Sequence, residues 1–236
     1  MRSLALGLLA LVASTSLAAA EAPAAGAPPA AAPADAGEKK KNANPCRDEV
    51  GAALAKLRKS SWFHMTTNMI TENGPTAMEV DYVLPDKMHQ TVTQLLSKQK
   101  TEVILIGEKA WGNQGEGWLE LPNEMTQTFK AQMYDNVIAE QTDIGEYSCK
   151  GKTQIEGRDA MSYKLEQEPV KDSKAPVSET FRMFYVDATT GLPLSNALLA
   201  QGREKVPLFK ATYTFPLDVK IEPPKDAKPA KPDEKK

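Results

Sequence analysis

Two histidines, two cysteines and a scatter of carboxylates are the residues of this 236-residue chain whose types can do chemistry. His64 and His89 fall in runs that alternate apolar and polar residues. Neither is accompanied by a G-x-S-x-G elbow or by a visible Ser–His–Asp set. Glu116, Glu120 and Glu124 flank glycines or a helix start and have no partner acid at a spacing that would make a glycosidase pair. Gly112, Gly115 and Gly117 lie between or beside Trp111 and Trp118, yet they lack the Lys-Ser/Thr that a phosphate loop requires and read as hairpin or bulge glycines. Cys46 and Cys149 have no C-x-x-C spacing, and His64 and His89 do not complete a zinc set with them. The chain is therefore expected to carry no catalytic residue, no metal ligand and no cofactor, and to hold or scaffold something instead of transforming it.

The N-terminus assigns the compartment. Arg2 precedes an apolar run from Leu4 to Val12, and Ala18-Ala19-Ala20 follow, so residues 1–20 read as a cleavable secretory signal peptide. The apolar run is far short of the about 20 residues that span a bilayer, so no transmembrane segment is expected in the mature chain. A periplasmic or secreted protein sits in an oxidising compartment, where Cys46 and Cys149 are expected to form a structural disulfide, two free thiols being the alternative. Charge is nearly balanced, with 29 Lys+Arg against 31 Asp+Glu, and no basic patch is interleaved with aromatics, so no nucleic-acid partner is expected.

Composition divides the rest. Residues 21–45 form an Ala/Pro/Lys-rich segment that cannot bury a core and reads as a disordered linker; residues 223–236 read as a second disordered, Lys/Pro-rich tail. Between them, residues 46–222 are an ordinary size for one domain. Pro45 to Lys59 carries Val50, Ala53, Leu54 and Leu57 at helical spacing. Phe63 to Thr71, a turn at Asn73-Gly74 and Thr76 to Leu84 form a hairpin. Further strands follow over Lys87 to Leu96 and Thr101 to Ile106, then about Trp111 and Trp118. A second helix is expected from an Asn123 N-cap to about Ile138. The remaining strands are Tyr147 to Glu156, Ala160 to Gln167, Glu179 to Val186, Leu192 to Leu199 and Val206 to Phe215. Short turns imply antiparallel pairing. The fold class expected is mainly β with helices (α+β): a curved antiparallel half-barrel sheet whose concave face the helices cover.

Three short motifs point to a family. They are Glu116-Gly117-Trp118 ahead of Pro122, the run Ile155-Glu156-Gly157-Arg158-Asp159-Ala160-Met161-Ser162-Tyr163, and Phe184-Tyr185-Val186-Asp187 leading to Gly191-Leu192-Pro193. Together with the element order they resemble the periplasmic lipoprotein-carrier-like half-barrel proteins, over nearly the whole span from Cys46 to Ile221. The resemblance implies a half-barrel with helices lidding a concavity that accepts acyl chains, and lipid or lipoprotein acyl chains as partners.

The residues themselves supply a candidate lining. All eight methionines after Met1 lie inside the domain. Alternation puts Met65 with Met69, and Met78 with Val80, Tyr82 and Leu84, on common faces, and likewise Met88 with Val92 and Leu96. The second helix offers Met125, Phe129 and Met133 down one side. Methionine adapts to irregular space, so Met65, Met78, Val80, Tyr82, Met88, Val92, Met125, Phe129 and Met133 are the candidate walls of a ligand cavity; the bland alternative is an ordinary core with Met as filler. Two functions follow: an exported binding protein for a lipid or other amphiphile, or a structural or sensory domain that reads an envelope protein with the same fold.

Overall fold

The computed structural model describes residues 44–166 and 180–230. The signal peptide at 1–20 and all of the linker except Asn44 and Pro45 lie outside the described residues, as do 167–179 and 231–236. The elements are helix α1, Pro45–Arg58; strands β1, Trp62–Thr71, β2, Gly74–Val83, β3, Lys87–Gln94, β4, Lys100–Ile106, β5, Lys109–Asn113 and β6, Trp118–Glu120; helix α2, Asn123–Met133, extended by a π-helical turn, Tyr134–Ile138; and strands β7, Tyr147–Ile155, β8, Arg158–Glu166, β9, Thr180–Asp187, β10, Pro193–Ala200 and β11, Phe209–Thr214. Their existence and order follow the sequence periodicity closely.

All eleven strands form one antiparallel, open, curved sheet in the order β6-β5-β4-β3-β2-β1-β11-β10-β9-β8-β7. Two meanders, β1–β6 and β7–β11, are joined by the pairing of the first strand with the last, Met65 opposite Tyr213 and Met69 opposite Phe209. Register then carries side chains in rows across the sheet. Phe63, Tyr82, Met88, Leu105 and Ala110 make one row on the inner face. Both helices lie on that face. α1 buries Val50 and Ala53 against Tyr147, Tyr163, Phe184 and Val186. Met133 and Val137, from the last turn of α2 and the π-helical turn, pack with Phe63, Tyr82, Met88, Leu105 and Ala110. This is the α+β half-barrel expected from the sequence, with the helices on the concave side.

Asn44 opens α1: its side-chain oxygen accepts from the Arg47 N–H at 3.1 Å, and Pro45 takes a first-turn position where no N–H is needed. Asn123 does not cap α2. The cap position is Pro122, and the Asn123 side chain instead accepts from Gln127 Nε2 at 3.3 Å. The two cysteines are joined, with Cα atoms 5.3 Å apart, fastening the start of α1 to β7 across 103 residues.

The motif from Phe184 to Pro193 proves to be a turn device. The Asp187 carboxylate accepts the Thr189 and Thr190 N–H groups at 3.0 and 2.6 Å and the Thr190 hydroxyl at 2.9 Å, and it meets Arg158 of the second motif at 2.5 Å. Burial pushes this carboxyl up, but the hydrogen bonds from Thr190 and Thr189 and the Arg158 charge hold it below the ordinary range. Gly191 sits at φ +66°, where a Cβ would come within 2.6 Å of Lys56 Nζ as that ammonium reaches the Thr190 carbonyl. Two of the three motifs therefore lock the β7–β10 half to itself and to α1.

The C-terminal segment departs from its composition. Residues 223–230, expected to begin a solvated tail, run along the outer face of the sheet. The Lys228 N–H donates to the Trp118 carbonyl at 3.0 Å and its carbonyl accepts from the Glu120 N–H at 2.8 Å. Ile221 is buried with Ile104 and Trp111, while Trp118, Val219 and Ala227 pack beside them. The physical reason is that β4 and β5 carry apolar side chains on both faces, and the outer ones need a cover that a half-barrel does not otherwise provide.

Candidate functional site

Between the inner face and the two helices is a cavity of about 370 Å³, within the range of small-molecule sites. Its floor is sheet: Phe63, Met65 and Thr67 from β1, Met78 and Tyr82 from β2, Met88 and Gln90 from β3, and Phe209 and Tyr213 from β11. Its roof is Leu57 at the end of α1 with Gln132, Met133, Asn136 and Val137. Phe63 and Tyr82 stack with ring centroids 4.8 Å apart, making a rigid aromatic end wall.

Five of the nine residues singled out from the sequence line this space: Met65, Met78, Tyr82, Met88 and Met133. Val80 shares their face but is 1% exposed, packed within the core cluster, and contributes no wall. Val92 lies in the same row as Met78 and is half-buried, outside the cavity. Phe129 packs on the core cluster from α2, also outside the lining. Met125 is 44% exposed and faces solvent. The cause is geometric. Residues 125, 129, 133 and 137 lie four apart, and each step of four overshoots a helical turn, so Met125 drifts about 120° from Val137. The buried face instead holds Thr126, Met133 and Val137.

Phe63 and Thr67 follow from the same alternation that yields Met65, and attention to polar inward residues would have found Gln90. Phe209 and Tyr213 reach the cavity only through the β1–β11 pairing, for which local sequence has no signal. Four polar groups punctuate the walls: Thr67, Gln90, Gln132 and Asn136. The Thr67 hydroxyl is notable because the residue is 1% exposed and its Oγ1 has no hydrogen-bond partner. A buried orphan hydroxyl costs about 1–3 kcal/mol unless something bonds to it.

Both histidines sit on the opposite, outer face. His64 Nδ1 pairs with Asp81 Oδ1 at 2.8 Å; His89 lies 3.8 Å from Glu102 and beside the Trp118 ring. Among the described residues no serine, threonine or cysteine hydrogen-bonds to either ring, and no three His, Cys, Asp or Glu side chains gather as a metal set. No helix among the described residues is long and apolar enough to cross a membrane.

The buried phenols set an alkaline limit. Burial raises Tyr82, and raises Tyr163 together with its hydrogen bond to Glu49; burial pushes Tyr213 up to about 12. Unfolded, each ionises near pH 10, so above that the unfolded chain releases protons that the folded chain keeps. The stabilisation is therefore complete below about pH 10 and is lost as pH rises towards about 12. Urea midpoints should fall steeply between about pH 10 and 11.5, and Tyr213→Phe should make that fall shallower; an unchanged slope in this variant would remove Tyr213 from the account.

No protein-family model and no curated protein matches the chain. Solved structures do. The chain is similar to the lipoprotein LppX of Mycobacterium tuberculosis at 11% identity and a TM-score of 0.53, over 76% of this chain and all of that one. It is also similar to LprF of Mycobacterium bovis at 8% identity and a TM-score of 0.49, over 77% and 98% of the two chains. A LolA superfamily protein of Nitrosomonas europaea aligns at 11% identity and a TM-score of 0.26, over 70% and 90%. The likeness to LppX shows the fold, and the half-barrel read from the three motifs agrees with it.

Proposed function

We propose that this chain is an exported, non-enzymatic binding protein that holds the apolar part of a lipid or other amphiphile between its curved sheet and its two helices. The observation that carries the reading is the cavity itself, with its methionine and aromatic walls. An acyl chain fills the apolar walls, and Gln90, Gln132 and Asn136 are the polar side chains that face the same space. Methionine walls suit a chain whose length and kinks vary. The inner-face location also agrees with the concavity that the sequence resemblance implies, and the signal peptide read at 1–20 supports export to where envelope lipids are.

Uptake of a fluorescent fatty acid tests this. The variant Thr67→Leu fills space and removes the orphan hydroxyl without adding charge. It should bind the probe roughly tenfold more weakly, about 1.4 kcal/mol, and thermal melts of the same variant separate this from the about 1–3 kcal/mol that added bulk at a 1% exposed position costs the fold. Val80→Phe is a poorer choice, because Val80 is sealed in the core and overpacking there costs about 1–3 kcal/mol of stability. Equal binding by wild type and Thr67→Leu, or no binding by either, would leave the methionine stripe as ordinary core.

A further inference from the structure

Five of the nine large hydrophobic side chains exposed among the described residues gather at one end of the sheet: Ile70, Leu95, Leu96, Val206 and Leu208, at 58, 38, 74, 64 and 36% exposure. Register places them side by side. Ile70 stands opposite Pro75. The Ile70 N–H donates to the Leu208 carbonyl at 3.2 Å and the Leu95 N–H to the Pro75 carbonyl at 2.9 Å. Leu96 covers Gly74, its Cδ1 lying 2.9 Å from where a Cβ would stand. Leu208, Ile70, Pro75 and Leu95 thus form one apolar row across the ends of β11, β1, β2 and β3, and Val206 and Leu96 extend it. Single exposed apolar residues need no explanation, whereas a contiguous row does.

Charge around the row is uneven. The turns that carry it bring exposed Lys98, Lys100, Arg203 and Lys205, against Glu72 and Glu204. Glu204 keeps its charge while accepting the Gly202 N–H at 2.8 Å, and Lys100 pairs with Glu102 at 3.0 Å, which leaves Lys98, Arg203 and Lys205 against Glu72 and Glu204. Phe209, the residue next to Leu208, lines the cavity from the inner face at this end of the sheet, whereas Ile70 alternates with Met69 and stands on the outer face with His64. We propose that this rim docks on the surface of a bilayer containing anionic lipid, its apolar row entering the headgroup boundary and its cations resting on lipid phosphates. The exposed cations beside an apolar row favour a bilayer over a protein surface as the occupant. The docking stands on the rim alone; only the further consequence, that an acyl chain passes between bilayer and cavity here, rests on the function proposed above.

Co-sedimentation of the full mature chain with vesicles decides it. Binding is expected to phosphatidylcholine–phosphatidylglycerol vesicles, weaker binding to phosphatidylcholine alone, and loss in high salt. Ile70→Glu with Leu96→Glu should lower the affinity roughly tenfold, and Lys98→Glu with Lys205→Glu by a similar factor. All four positions are exposed, so both double variants should melt like wild type. Fatty-acid probe binding in vesicle-free buffer is measured on the same samples, and a failure there sinks the cavity reading without touching the rim. The rim proposal is overturned if wild type binds neither vesicle, which would leave the row to a protein partner. It is equally overturned if both double variants bind like wild type, including the case where binding disappears only when Lys39, Lys40 and Lys41 are replaced by serine.

Discussion

Replacing both Cys46 and Cys149 with serine is expected to lower unfolding stability by several kcal/mol, with about 4.7 kcal/mol as the upper figure for a loop of this length. The disulfide closes 103 residues, a stretch that contains the whole first meander and α2. Without the bond the unfolded ensemble regains the conformational freedom of that loop, while the folded state loses little, because α1 is held by other means. Asn44 Nδ2 donates to the Tyr147 carbonyl at 3.0 Å and to Glu146 at 2.7 Å, Arg47 donates to the Thr142 carbonyl at 3.1 Å, and Val50 and Ala53 stay buried against Tyr147, Tyr163 and Phe184. The expected result is a folded but much weaker protein, since about 5–15 kcal/mol is the whole stability of a typical domain. Urea unfolding of the variant beside the oxidised wild type measures it. A midpoint that does not move would mean that the unfolded chain keeps α1 and β7 together without the bond.

Ending the chain after Phe215 should have an effect of similar size through a different cause. The removed segment supplies Ile221, which is buried with Ile104 and Trp111 on the outer face, and the two backbone hydrogen bonds that Lys228 makes with β6. Losing a buried isoleucine alone costs about 2–5 kcal/mol. Truncation also bares Trp118 and the short edge strand that carries it, an invitation to pairing with a second copy. The expected signature is a stability loss of about 3 kcal/mol or more, a red shift of tryptophan emission, and concentration-dependent association. Ile221→Asp should reproduce most of the stability loss at unchanged chain length. Probe uptake should persist in whatever fraction stays folded, because the cavity lies on the other face. Wild-type stability in both variants would show that the outer face needs no cover.

The candidate site was only partly legible, and the misses have separable reasons. Strand alternation has a period of two residues, so Met65, Met78, Tyr82 and Met88 fall on one face with no knowledge of what lies opposite. Val80 and Val92 obey the same rule and still line nothing: Val80 is sealed in the core although Met78 and Tyr82 flank it and Met65 and Gln90 stand opposite, and Val92 lies outside the lining. Met125 misleads because spacing by four looks like a face over two turns and ceases to be one over three. The burial of Thr67 without a partner becomes visible only once α1, α2 and β11 close around it.

What the sequence determined by itself is local. It holds the order and approximate limits of the strands, the two helices and the Asn73-Gly74 hairpin, because alternation, helical spacing and turn residues act over fewer than about ten residues. The tertiary structure decided three long-range matters. β1 pairs with β11 and so brings Phe209 and Tyr213 to Met65 and Thr67. Ile221 and Val219, with Ala227 from the Lys/Pro-rich segment that starts at 223, become a cover for Ile104 and Trp111. Ile70, Leu95 and Leu208, unremarkable singly, become a row. Each depends on surfaces that exist only after the sheet has formed, and a composition or a period carries no information about what will lie across from it.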